Sequence, residues 1–97
     1  MEPPSWVVRV EALAMREDRG VRISLGQLRA IVRRLRSHSA VGGTRGTGWW
    51  VTLEVSASSE PAAWFEALDL VAAARTAEAL IGWELRVDHE ESIASPE

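Results

Sequence analysis

The chain predicts a small α+β domain, a two-layer sandwich with helices packed on one face of an antiparallel sheet. Three observations point there. Three segments alternate apolar and polar residues at strand period, two others repeat apolar residues at helical period, and glycine- or serine-rich turns separate them. At 97 residues there is room for one core and no second one.

Trp6-Val7-Val8-Arg9-Val10-Glu11-Ala12-Leu13 reads as the first strand because it alternates and is rich in β-branched residues. Trp6, Val8, Val10 and Ala12 share one face; Val7, Arg9, Glu11 and Leu13 share the other. Glu17-Asp18-Arg19-Gly20 is a charged turn, and Val21-Arg22-Ile23 a short extended piece. Ser24 with Gln27 three residues on has capping-box spacing, so the first helix starts there. Leu25, Leu28, Ile31, Val32 and Leu35 form its apolar stripe. Arg29, Arg33 and Arg36 line another face, where cations late in a helix complement its dipole.

Ser39-Ala40-Val41-Gly42-Gly43-Thr44 reads as a short, glycine-weakened edge strand or a loop. Trp49 to Ala57 is the next strand. The second helix begins around Ser59-Glu60-Pro61, with Trp64, Phe65, Leu68, Val71 and Ala72 as its stripe. Trp83-Glu84-Leu85-Arg86-Val87-Asp88 is the last strand. The domain is expected over residues 1–89, followed by an acidic, disordered tail at 90–97. The order β-α-(β)-β-α-β is that of a ferredoxin-like sandwich. Without the weak strand it becomes a three-stranded βαβαβ layer.

Arg45-Gly46-Thr47-Gly48-Trp49 resembles the third strand of RNA recognition motifs, which reads basic, Gly, aromatic, Gly or Ala, aromatic. That family shares the order of elements and stacks bases on aromatics of its open sheet face. Two aromatic places are occupied by Thr47 and Thr52 instead. Strand parity argues against stacking. If Thr47 and Trp49 face outward, Val51, Leu53 and Val55 follow, and Glu54 is forced into the core at a cost of several kcal/mol. The opposite assignment buries Trp49, Val51, Leu53 and Val55 and leaves Trp50 outside. Trp6, Trp64 and Trp83 also fall on inward faces, so Trp50 is the one outward tryptophan.

The net charge of −3 conceals a division. Residues 1–48 carry nine arginines against four acids, and residues 49–97 two arginines against ten acids. Intramolecular pairing of Arg29, Arg33 or Arg36 with Glu66, Asp69 or Glu78 is therefore expected. The same arginines, with Arg45, are the candidate anion-binding set. The overall acidity weighs against nucleic acid as the partner.

Catalytic material is thin. There is no cysteine, and His38 and His89 stand far apart at element ends. No metal-ligand spacing occurs, and the glycine-rich 42–48 segment lacks the lysine and following helix of a phosphate loop. No catalytic residue, metal or cofactor is assigned. No segment has the length and apolarity of a membrane span, and the opening residues do not resemble a signal peptide, so a cytoplasmic location is expected.

The sequence thus predicts a non-enzymatic interaction or regulatory domain. Its expected partner is a protein, foremost a second copy of itself in a homodimer. The interface candidates are Trp50, Val7 and Leu13 on the open sheet face and Val41 on the weak edge. The alternative is a cofactor-free or small-ligand enzyme, marked by a closed apolar cavity near His38 or Arg45. Phosphate or nucleic-acid binding by the arginine face is the third reading.

Overall fold

A computed structural model describes residues 3–14, 23–80 and 82–94. The expected turn at Glu17–Gly20, Val21 and Arg22 of the extended piece, and residues 95–97 of the tail lie outside these.

Four strands form one antiparallel sheet: β1 (Ser5–Ala14), β2 (Val41–Arg45), β3 (Gly48–Ser56) and β4 (Trp83–Ala94). Their order is β2-β3-β1-β4. Two helices, α1 (Leu25–Arg34) and α2 (Glu60–Ala77), complete the α+β architecture. Register fixes which face each residue takes. Val8, Val10 and Ala12 lie opposite Leu53, Val51 and Trp49, and all six are buried. The glutamate at position 54 stays outside the core, as the parity argument requires.

Both helices pack on the face that buries these residues. Ile31, Leu28 and Leu35 join the core from the α1 side, with Ala63, Ala67, Val71 and Ala74 from α2. The α1 cap has both halves of the capping box: the Gln27 N–H donates to Ser24 Oγ at 3.1 Å, and the Ser24 N–H donates to Gln27 Oε1 at 2.9 Å. Ser59 caps α2, with Pro61 in its first turn.

The 39–44 segment, expected as a weak edge strand or a loop, forms the edge strand Val41–Arg45, joined to β3 by a turn with Gly46 at φ +60°. Other elements differ from their expected form. β4 continues to Ala94, past the boundary expected at residue 89. The reason lies in β1, whose ten residues extend beyond Arg9 and pair Val7 with Ile93 and Trp6 with Ala94 after a register shift. On α2 the buried line is Ala63–Ala67–Val71–Ala74, so Phe65 is left 69% exposed and Trp64 and Leu68 half-buried. Small side chains let the helix approach a sheet face already filled by Trp49 and Trp83, whose rings meet edge to face at 6.2 Å. Leu25, expected in the α1 stripe, is 65% exposed.

Candidate functional site

The open sheet face carries the outward tryptophan. Trp50 sits between Glu11 on β1 and Gly43 on β2. Its indole lies across the strand onto Gly43, so close that a Cβ there would fall 2.6 Å from Cζ2. From the other side the Arg9 guanidinium carbon stands 4.1 Å from the ring centroid, while Arg9 Nε donates to Thr52 Oγ1 at 3.3 Å. Trp50 is therefore half-buried and held by its own sheet. The rest of this face is similarly self-paired. Arg86 bridges Glu11 at 3.1 Å, and Ser5 Oγ donates to Glu54 Oε1 at 2.7 Å.

The expected apolar patch of Trp50, Val7 and Leu13 is divided. Leu13 and Trp50 share the rim of a shallow cavity of about 310 Å³ with Glu11, Arg45 and Arg86. Val7 lies opposite Glu54, four residues from Glu11 along β1, or about 13 Å at strand rise. It takes no part in that cavity. A second depression, beside His38, is lined by Ser5, Ser37, Glu54, Ser56 and Glu66 and is polar.

The two sheet edges differ in kind. β4 places Glu84, Arg86 and Asp88 on its open face and shifts register against β1 between Val7 and Arg9. Charge and irregularity are devices that keep a strand edge from pairing with other chains. β2 reads Val41-Gly42-Gly43-Thr44-Arg45, with no proline and one charge at its end. Past its start, His38 protects the continuing edge of β3: Nδ1 lies 3.0 Å from the Glu54 carbonyl, which can only accept, so Nδ1 carries the proton. Residues two apart on a strand direct their N–H and C=O to the same neighbour. Trp50 and Thr52 therefore face β2 as Glu54 does, and in β2 Gly42 and Thr44 direct their main-chain groups away from the sheet.

Beside this edge runs a groove of about 420 Å³. Leu28, Val32, Ala40 and Gly42 form its apolar part, with Leu25 and Val41 as lips that are 65% and 60% exposed. Gly42 is needed here, since a Cβ would meet Val32 Cγ2 at 2.8 Å. Arg29 and Arg33 complete the rim.

The candidate arginines are thus dispersed. Arg29 and Arg33 flank the groove with Val41, Arg45 is on the open face, and Arg36 is in the 3-10 turn Arg36–His38. The expected pairing of α1 with the acidic helix is made by a neighbour, Arg34, whose Nε meets Glu78 Oε1 at 2.8 Å. Arg29, Arg33 and Arg36 have no ion pair among the described residues. Sequence reasoning missed Leu25 as a surface residue. Its signal was the i, i+4, i+8 line Leu25-Arg29-Arg33, which the wider apolar stripe obscured.

Among the described residues no cluster of His, Asp or Glu could hold a metal ion, and no helix is long and apolar enough to cross a membrane. Comparison of the chain with protein families, curated proteins and solved structures finds no match.

Proposed function

We propose that this chain is a protein-interaction domain that receives an extended segment of its partner along the outer edge of β2. The observation that carries this reading is the coincidence, among the described residues, of a strand edge without proline or bulge and an apolar groove whose lips, Leu25 and Val41, are exposed. Strand addition of this kind draws affinity from main-chain hydrogen bonds and specificity from pockets beside alternate side chains. The open face supports an interface less well, because Arg9 and Gly43 already hold Trp50.

We also assign the ferredoxin-like arrangement. Counted from the β4 edge, the strand order is β4-β1-β3-β2, and the chain follows β-α-β-β-α-β. Both β2 and β4 are then edge strands, which is what leaves β2 available.

The test is a backbone-amide NMR titration with a threonine-rich extended heptapeptide. Shifts concentrated at Val41–Arg45 and Leu25–Arg33 are expected. Shifts centred on Trp50, Leu13 and Arg86 would move the interface to the open face and overturn this reading.

A further inference from the structure

We infer that the segment docking on β2 is acidic on the side it turns toward α1, with one apolar and two acidic residues at alternate positions, the apolar one at either end. This rests on the strand-addition reading above and names the chemistry of the partner.

Leu25, Arg29 and Arg33 are four residues apart on α1, so they rise by about 6 Å per step along one side of the helix. A strand presents same-face residues every ~6.7 Å. The groove that Leu25, Arg29 and Arg33 border also reaches Ala40, Val41 and Gly42, so an extended chain hydrogen-bonded to the outward groups of Gly42 and Thr44 turns alternate side chains toward this line of α1. One contact is apolar, against Leu25 and the Leu28–Val32 floor; two are cationic.

Charge supplies the second part. Arg29 and Arg33 are exposed and make no ion pair among the described residues, whereas Arg34 on the same helix is engaged by Glu78. Two guanidiniums beside an apolar groove suit carboxylates, which they can grip with two parallel hydrogen bonds each.

The same geometry disfavours a symmetric dimer through this edge. A two-fold pairing of β2 with β2 would bring the Leu25-Arg29-Arg33 lines of both copies toward one another and oppose like charges. The occupant is a segment of a different, acidic protein chain.

The probe is a fluorescein-labelled peptide, Thr-Leu-Thr-Glu-Thr-Glu-Thr, used with its reversed sequence because strand direction is open. Binding to the full chain is read by fluorescence anisotropy at low and high salt. One of the two directions binds. Arginine in place of both glutamates weakens binding at low salt by roughly tenfold, the sum of two exposed ion pairs. The Arg29→Glu/Arg33→Glu variant reverses the preference and selects the arginine peptide. Circular dichroism of that variant confirms its fold, since both positions are exposed.

Peptides N-methylated at alternate amides separate the two layers of the argument. If methylation abolishes binding and charge exchange changes nothing, strand addition stands and the acidic pattern is overturned. If charge exchange matters and methylation does not, the edge-pairing reading is overturned. Self-association of the chain at micromolar concentration that is lost in Val41→Asp would replace the acidic partner with a second copy and also overturn the proposal.

Discussion

Replacing Gly43 by alanine should destabilise the protein, and the same replacement should stabilise it once Trp50 is gone. A Cβ at Gly43 would lie 2.6 Å from Trp50 Cζ2 and 2.8 Å from Cε2. Carbon atoms rest about 3.5–4.0 Å apart, so the indole must retreat by about an ångström or more. Retreat uncovers roughly a quarter of an indole surface of ~200 Å², worth about 1 kcal/mol at ~25 cal/mol per Å². It also disturbs the Arg9 guanidinium, now 4.1 Å from the ring centroid, a contact worth about 0.5–1 kcal/mol at a half-exposed site. Against these losses, alanine restricts the unfolded chain and gains about 0.5–1 kcal/mol within a strand. Nothing forbids the substitution on backbone grounds, because Gly43 is not among the positive-φ glycines.

The net expectation is a loss of about 1 kcal/mol, which lowers the melting temperature by ~4–8 °C in a domain of this size. In a Trp50→Ala background the obstruction is absent, and Gly43→Ala should raise stability by about 0.5–1 kcal/mol. Urea denaturation followed by far-UV circular dichroism on the four proteins of the cycle measures both values. The reasoning is refuted if Gly43→Ala stabilises the parent, or if it has the same sign in both backgrounds.

Two further substitutions and one double-mutant cycle probe the frame of the fold. Gly48→Ala should lose about 1–3 kcal/mol in urea denaturation, since its Cβ would stand 2.5 Å from the Ala12 carbonyl oxygen, a main-chain atom with little freedom to yield. Ser24→Ala removes the acceptor of the α1 capping box and should cost about 0.5–2 kcal/mol by thermal unfolding. A double-mutant cycle on Arg34 and Glu78 should give a coupling of at most ~1 kcal/mol that shrinks in 1 M salt, because both side chains are partly exposed.

The sequence was most readable where one residue's placement forces another's. Burying Glu54 is expensive, so parity settles the whole of β3 and with it the side on which Trp50 emerges. Ser24 and Gln27 mark a helix start by local hydrogen bonding alone, without help from the fold. Legibility ended where tertiary packing chooses among equals. Phe65 and Ala67 both lie on apolar turns of α2, and only the depth of the sheet face beneath decides for the alanines. The end of β4 depends on how far β1 extends beside it, a relation between segments more than seventy residues apart. The candidate groove was hidden for the same reason. Leu25, Arg29, Arg33 and Val41 become neighbours only when α1 lies along β2, and nothing local distinguishes Arg33 at the groove from Arg34 beside Glu78.

The central claim, that β2 offers a free edge to a partner strand, is tested most directly by amide hydrogen exchange at Gly42 and Thr44. Both amides should exchange rapidly in the free protein, in contrast to those of Val41 and Gly43, which face β3. Addition of the acidic heptapeptide should slow exchange at Gly42 and Thr44 specifically. Protection of these two amides in the free protein, or unchanged exchange when the peptide is bound, would contradict the account.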